Sequence, residues 1–294
     1  MYIDGVFSGG GIKGFALIGA YEALEKKGLQ FKRLAGTSAG SIIAALILVG
    51  YSSAEIKKMM DEINLSELLD SRKTIIPFPF AKWLFIYRHL GLYKGDAIEA
   101  WLALKLAEKG VVTFGDLPPG ALRVVASDLT TSQILVLPDD LKNYGIIPEK
   151  FPVAKAIRMS CSIPYFFEPV KLRPPTGKSI IVDGGVLSNF PIWLFDNEGT
   201  IQTRPVLGIK LSGNSMQQKP NKIDNAIELY SALFETMQKA HDARYISRRH
   251  EKNIIFIPVE GGITTEFSLG PEKKGELIDL GRKSTDQFLK TWSY

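Results

Sequence analysis

The N-terminal part of this chain alternates short apolar runs with stretches of helical periodicity, and no other feature of the sequence restricts the fold as much. Tyr2–Phe7 and Phe31–Ala35 are predicted to be buried strands. Phe15–Lys27 and Ser41–Val49 are predicted to be the helices that follow them. A repeated strand–helix order is typical of parallel sheets with right-handed crossover connections. The sequence therefore predicts an α/β protein with a parallel sheet.

The remainder of the chain continues in the same manner, without an internal repeat or a low-complexity linker. Further strands are predicted at Leu122–Ser127, Gln133–Leu137, Lys178–Val182, Val206–Leu211 and Asn253–Val259. Further helices are predicted at Ser53–Ile63, Asp96–Lys109, Asn225–Arg249 and Glu272–Lys290. The segment near residues 64–95 is rich in aromatic residues and less regular. We therefore expect a single α/β domain over residues 1–294, with an insertion near 64–95.

Charge and cysteine content exclude several classes of function. The chain has 36 Lys and Arg against 31 Asp and Glu, a net charge of +5 that argues only weakly for anionic partners such as phospholipid surfaces. A nucleic-acid-binding protein would carry a denser basic stripe, so no nucleic-acid partner is expected. Cys161 is the single cysteine, which rules out an internal disulfide framework and any multi-cysteine zinc site.

The sequence has no recognisable targeting or membrane-spanning segment. The N-terminus lacks a basic region followed by a long apolar run, so no signal peptide is visible. The longest apolar run, Ile42–Val49, is too short to cross a bilayer. We expect the protein to be cytoplasmic or attached peripherally to a membrane.

The glycine pattern Gly9-x-Gly11-x-x-Gly14 follows the first strand and allows two interpretations. A glycine turn before a helix directs main-chain N–H groups at an anion, which could be the phosphates of a dinucleotide or a reaction oxyanion. A dinucleotide site needs an acidic residue after the second strand to bind the ribose. The sequence has no Asp or Glu between Glu25 and Glu55, which favours the oxyanion interpretation.

The second strand runs into Gly36-x-Ser38-x-Gly40, the spacing of a hydrolase nucleophile elbow. Such a serine sits on a sharp turn that only glycine allows at the flanking positions, and the N–H group of Ala39 would face the oxyanion. The amides of Gly10 and Gly11 would supply further donors if the two loops are adjacent. The alternative is that Ser38 merely caps the helix that begins at Ser41.

A serine nucleophile needs a proton acceptor, and the histidines are poorly placed for this role. His89 precedes any plausible acid. His241 lies inside a predicted helix and His250 lies in "RYISRRHEK", and neither follows a strand end. Asp183 ends the apolar strand of "SIIVDGG", and parallel strands would bring it to the same sheet edge as Ser38. The alternative for Asp183 is a plain turn aspartate.

Three motifs occur in the order "SGGGIKG", "GTSAG" and "DGG", and "ASDL" at 126–129 and "RMSCSIPYFFEPV" at 158–170 lie between the last two. From residue 4 to about 210 the chain resembles the bacterial branch of the patatin-like phospholipase family. The resemblance implies a three-layer α/β/α fold and a Ser–Asp dyad without histidine, in which Ser38 is the nucleophile and Asp183 is the general base. It also implies an oxyanion hole, whose residues would be Gly9, Gly10, Gly11, Gly14 and Ala39. Plant patatins begin the loop with Asp and carry Arg before its last glycine, whereas this sequence has Ser8 and Lys13.

The expected function is lipid acyl hydrolysis, as by a phospholipase A or another carboxylic ester hydrolase, with no metal or organic cofactor. A lipid ester would be the substrate, and Lys13 is either a contact to the lipid headgroup or oxyanion, or a solvated lysine. The stretch "IIPFPFAKWLFIYRHLGLYK" is either a segment that contacts a membrane surface or an insertion packed on the core. Two alternatives stay open, a Ser-His-Asp esterase that uses His241 or His250 and a non-catalytic membrane-binding module.

Overall fold

The computed structural model describes residues 1–63, 67–72, 78–175, 177–196, 204–212, 223–246, 251–259 and 269–293, with backbone alone at 78–83, 226–227 and 243–245. The strands are β1 (Tyr2–Phe7), β2 (Gln30–Thr37), β3 (Gly91–Tyr93), β4 (Leu122–Asp128), β5 (Gln133–Leu137), β6 (Tyr165–Phe167), β7 (Val170–Leu172), β8 (Ser179–Asp183), β9 (Val206–Ser212) and β10 (Ile254–Pro258). The α-helices are α1 (Phe15–Lys26), α2 (Ala39–Leu48), α3 (Ser53–Glu62), α4 (Phe78–His89), α5 (Asp96–Glu108), α6 (Val153–Ser160), α7 (Ala226–Tyr245) and α8 (Pro271–Leu289).

Most of these elements were predicted from the sequence, and the differences are informative. Helix α2 begins at Ala39, directly after Ser38, rather than at Ser41. The insertion near 64–95 contains helix α4 and strand β3, which pairs with β6 in a small separate sheet. Helix α6 was missed, because its eight residues are too few to establish a helical period.

The main sheet of the described residues has eight strands in the order β10-β9-β1-β2-β4-β8-β7, with β5 also paired to β4. Strands β10, β9, β1, β2 and β4 are parallel, whereas β5, β7 and β8 pair in an antiparallel manner. The prediction of a mostly parallel central sheet is therefore confirmed. Helices α1, α2 and α8 belong to the large core on one face, and residues 190–195 cover Val6 and Ala35 on the other.

Strands β2 and β8 share one edge of β4, and this arrangement positions the site. Along β4, Thr37 at the end of β2 pairs with Val125, and Asp183 at the end of β8 pairs with Ala126. Because β5 occupies the opposite edge of β4 at these positions, the two strands approach each other tip to tip. The expectation that parallel strands would bring Asp183 to Ser38 is wrong, since β8 runs antiparallel to β4. Ser38 directly follows β2 and Asp183 ends β8, and the C-terminal ends of these two strands meet.

Within the described residues, no helix combines the length and the apolar character that crossing a bilayer would require.

Candidate active site

Ser38 lies on the sharp turn between β2 and α2, in a backbone conformation that few residues other than glycine adopt. Its φ is 51° and its ψ is −127°, and the residue is 6% exposed. The flanking glycines are required because the turn folds closely upon its neighbours. A Cβ atom on Gly40 would overlap the carbonyl oxygen of Phe7, and one on Gly36 would lie 2.6 Å from the carbonyl carbon of Gly40. The positive φ of Ser38 is a strained conformation for a residue other than glycine, and such strain is typical of functional sites.

The hydroxyl of Ser38 does not serve as a helix cap. Although the residue occupies the N-cap position of α2, its side chain accepts no hydrogen bond from the first helical turn. The local main chain is held instead by Ser41, whose Oγ donates to the carbonyl oxygen of Ser38 at 2.6 Å. The capping alternative for Ser38 is therefore wrong, and its hydroxyl is left for other interactions.

The C-terminal end of α6 and the two residues after it hold both halves of the site. The N–H group of Ser38 donates to Ser160 Oγ at 2.8 Å, and Ser160 Oγ in turn donates to the carbonyl oxygen of Val125 at 2.5 Å. Two residues further on, the carbonyl oxygen of Ser162 accepts from the N–H group of Asp183 at 2.9 Å. A single short segment thereby fixes the main chains of Ser38 and Asp183 relative to each other.

Asp183 is 1% exposed and has one satisfied and one unsatisfied carboxylate oxygen. Its Oδ1 accepts from the N–H group of Gly185 at 2.7 Å, whereas Oδ2 has no hydrogen-bond partner of ordinary geometry. Burial raises the pKa of Asp183 to about 7, while the nearby Ser38 hydroxyl and the Gly185 amide limit the rise. The carboxyl group therefore changes its protonation state near neutral pH, where a general base is useful.

The glycine loop after β1 lies beside Ser38, and its members differ in their contacts. The N–H group of Gly9 is already bonded to the carbonyl oxygen of Asn189 at 3.0 Å. Among the described residues, no hydrogen bond engages the N–H groups of Gly10, Gly11 or Ala39. Within the described residues these three amides have no hydrogen-bond acceptor, whereas the amide of Gly9 has one.

Gly9 and Gly14 allow the loop to approach the elbow. A Cβ atom on Gly9 would lie 3.3 Å from Ser38 Cβ, and one on Gly14 would lie 2.9 Å from Ala39 Cβ. Gly11 has a φ of 53°, the left-handed conformation that glycine tolerates best. The two motifs are thus in direct contact, as expected if the loop faces the elbow.

An apolar cavity of about 100 Å³ opens beside Ser38 and is suited to a hydrocarbon chain. Its described lining residues come from the glycine loop, the elbow and the helices around them, and they include Ile12, Phe15, Ile42, Met60, Leu68, Ile98, Trp101, Ile163 and Phe167. Cys161 also lines the cavity; burial, reinforced by the charge of Asp183, raises its pKa to about 12. A thiol with so high a pKa is not a nucleophile at neutral pH.

The remaining candidates lie at the margin of the site or outside it. Lys13 is half-buried against α7, where burial lowers its pKa and Glu235 opposes that effect. His241 lies within α7, and no described hydrogen bond joins it to Ser38 or Asp183. His89 ends α4, where its ring meets that of Phe85. His250 lies outside the described residues.

Three residues around Ser38 and Asp183 were not predicted from the sequence. Ser160 binds the elbow, Asn189 lies between the glycine loop and Gly185, and Tyr230 faces Asp183 from α7. Ser160 stands in the quoted segment "RMSCSIP", but nothing in its spacing indicates a contact to Ser38. Within the described residues, no three His, Cys, Asp or Glu side chains come together as a metal site would require.

Comparison with known proteins links this geometry to one family. The family model "Patatin-like phospholipase" matches residues 5–196. The Bacillus subtilis protein YqhO is 57% identical over 294 residues, which are 100% of both chains. A protein of Invertebrate iridescent virus 6 named "Probable lipid hydrolase 463L" is 29% identical over 198 residues, which are 64% of this chain and 61% of the viral protein. The crystal structure of VipD from Legionella pneumophila matches 99% of this chain and 67% of its own, with a TM-score of 0.59 and 20% identity, which shows a common fold.

Proposed function

Because this chain belongs to the patatin-like phospholipase family, we propose that it is a lipid acyl hydrolase in which Ser38 is the nucleophile and Asp183 is the general base. Family membership supports hydrolysis of lipid esters. The single observation that supports the dyad is the meeting of β2 and β8, which puts a strained serine beside a buried carboxylate with a pKa of about 7.

In the proposed acylation step, Asp183 accepts the hydroxyl proton of Ser38 while Oγ attacks the ester carbonyl carbon. The negative charge on the carbonyl oxygen is stabilised by the N–H groups of Gly10, Gly11 and Ala39. The alcohol then leaves with the proton from Asp183, and the acyl group stays on Oγ. Water hydrolyses this acyl-enzyme in a second step in which Asp183 again accepts a proton.

In this proposal Gly9 and Gly14 contribute to the oxyanion hole because they lack a side chain, which lets the loop approach the elbow. Their amides do not bind the oxyanion. The N–H group of Gly9 already binds Asn189, and a side chain on Gly14 would press against Ala39. Removal of one oxyanion donor typically costs about 10²–10³ in kcat, so displacement of the whole loop should cost more. The flanking Gly36 and Gly40 are needed for the elbow itself.

The apolar cavity supports a substrate with a hydrocarbon acyl chain. Its described lining is almost entirely aliphatic or aromatic, which would stabilise a buried chain by about 0.8 kcal/mol per CH₂ group. The partner is therefore a phospholipid or another lipid ester. Lys13 is proposed as a contact to the headgroup, because this half-buried residue belongs to the glycine loop itself. If so, Lys13→Met should lower phospholipid turnover more than turnover of a neutral ester, and an equal loss for both would contradict the contact.

Contact with a lipid surface is proposed at the C-terminal end of α4. Tyr87 is 85% exposed, and the exposed Arg88 adds positive charge beside it. Exposed rings next to cationic residues are typical of segments that bind the membrane interface. Tyr87→Ser should therefore reduce co-sedimentation with anionic vesicles, and Trp83 fluorescence should respond to the same vesicles. Unchanged binding and unchanged fluorescence would place the membrane contact elsewhere.

The decisive experiment compares product formation from defined phospholipids by the wild type, Ser38→Ala and Asp183→Asn. We expect fatty acid release by the wild type alone, and labelling of the wild type but not Ser38→Ala by a fluorophosphonate probe. The double variant His241→Ala/His250→Ala is the matched control and should retain activity. Near-normal turnover by Asp183→Asn would refute the dyad, and loss of activity in the histidine variant would favour a Ser-His-Asp esterase.

A further inference from the structure

Buried polar atoms without a partner are concentrated at one place in this protein. Among the described residues, four such side-chain atoms occur, namely Asp183 Oδ2, Asn189 Oδ1, Tyr230 OH and Thr285 Oγ1. Each unsatisfied buried atom costs about 1–3 kcal/mol, so such atoms are uncommon and call for an explanation. Thr285 lies in α8, whereas the other three atoms belong to the candidate base, Asp183, or to residues near it.

Asn189 lies between the two loops of the site. A Cβ atom on Gly9 would overlap Asn189 Oδ1 and would lie 3.3 Å from Ser38 Cβ. A Cβ atom on Gly185 would lie 3.3 Å from the same Oδ1 and 2.9 Å from Asp183 Oδ1. Asn189 Oδ1 is therefore a near neighbour of both Ser38 and Asp183, and the residue is only 5% exposed.

Tyr230 belongs to α7, which packs on the turn after Asp183. Its ring joins an apolar cluster that includes Val182 and Val186, on either side of Asp183, and stacks on Phe234 at 6.0 Å between ring centroids. Burial, together with the negative charge of Asp183, raises the pKa of the Tyr230 hydroxyl above its usual range. The hydroxyl therefore keeps its proton and is a hydrogen-bond donor near Asp183.

We propose that Tyr230 and Asn189, together with Asp183, hold the water that hydrolyses the acyl group on Ser38. This inference rests on the proposed hydrolase function. The three buried atoms match the bonding capacity of one water molecule, which donates to Asp183 Oδ2 and Asn189 Oδ1 and accepts from Tyr230 OH. One lone pair of the water oxygen is left to attack the acyl carbon.

The step is balanced without a further reactant. The water oxygen forms a bond to the acyl carbon as its proton passes to Asp183 Oδ2. The bond between that carbon and Ser38 Oγ then breaks, and the proton on Asp183 returns to Oγ. The carboxylic acid leaves and the free enzyme is restored, while Tyr230 and Asn189 keep their own protons. Both residues should therefore affect deacylation much more than acylation.

The experiment measures the two steps separately with a p-nitrophenyl ester on the full chain. Release of p-nitrophenol in the first turnover reports acylation, and the decay of acyl-Ser38 after rapid desalting, followed by intact mass spectrometry, reports deacylation. Tyr230→Phe removes only the hydroxyl, and Asn189→Leu replaces the amide with an apolar group of similar size. We expect the decay to slow about tenfold or more in each variant, with acylation changed less than about threefold.

Tyr165→Phe is the matched control, because this exposed tyrosine meets the ring of Tyr230 edge-on at 5.3 Å. It should leave both steps unchanged. Equal losses of acylation and deacylation in Tyr230→Phe and Asn189→Leu would overturn the inference, because they would indicate a general effect on Asp183 or on the fold. Unchanged decay would overturn it as well. A wild type that is never acylated at Ser38 would refute the proposed function itself, and this inference with it.

Discussion

The buried carboxyl group of Asp183 should make the stability of the protein depend on pH in a way that Asp183→Asn removes. The pKa of this group rises from an ordinary value of 3.8 to about 7 in the folded protein. Because one pKa unit corresponds to about 1.4 kcal/mol, ionising Asp183 in the folded state costs about 4 kcal/mol relative to the unfolded chain. The group is fully buried, so solvent does not screen this cost.

The sign of the effect follows from proton binding. Between the two pKa values, the folded protein binds a proton at Asp183 that the unfolded chain has already lost. The free energy of unfolding therefore falls as the pH rises through this window, and the full cost is present above the folded pKa. Asparagine does not titrate, so the stability of Asp183→Asn relative to the wild type should increase with pH. The difference should widen by about 3 kcal/mol from about pH 5 to about pH 8.

Urea unfolding followed by intrinsic fluorescence at both pH values measures this difference. Effects of other titrating groups cancel, because the wild type and the variant share them. Asp286→Asn, at an exposed aspartate of α8, is the matched control. An identical stability difference at both pH values would refute the reasoning, because Asp183 would then titrate like an ordinary carboxyl group and would be a poor base at neutral pH.

Three further predictions concern the elbow, its support and the attachment of α7. Gly40→Ala should abolish ester cleavage and lower the thermal midpoint, because its Cβ atom would lie 2.5 Å from a main-chain oxygen of the preceding loop. Ser160→Ala should leave the N–H group of Ser38 without its acceptor and cost about 1–3 kcal/mol in urea unfolding, with kcat falling more than KM rises. Lys210→Met should destabilise the fold by about 3–5 kcal/mol, because the carboxylate of Asp242 is 8% exposed and would lose its ion-pair partner; Lys239→Met, at an exposed pair, serves as the comparison.

Much of the fold could be predicted because its signals are local. The strand β1 and the strand β5 were predicted with the observed bounds, since short apolar runs between turn residues depend on neighbouring residues alone. The elbow was recognisable for the same reason, because Gly36 and Gly40 are needed by steric contacts within a single turn. Helix α6 could not be found from local signals. Its Ser160 and Arg158 side chains bind Ser38 and the carbonyl oxygen of Lys94, which are remote in sequence.

The sequence by itself determined the kinds of element, the order of the three motifs and the glycines that a tight turn requires. Only the tertiary structure decided that β8 runs antiparallel and meets β2 tip to tip, because strand direction depends on pairing with a remote partner, β4. The tertiary structure also decided the basicity of Asp183, since a carboxylate loses its hydration only when remote segments cover it. Proximity and desolvation are properties of the packed chain, and no local pattern of residues encodes them.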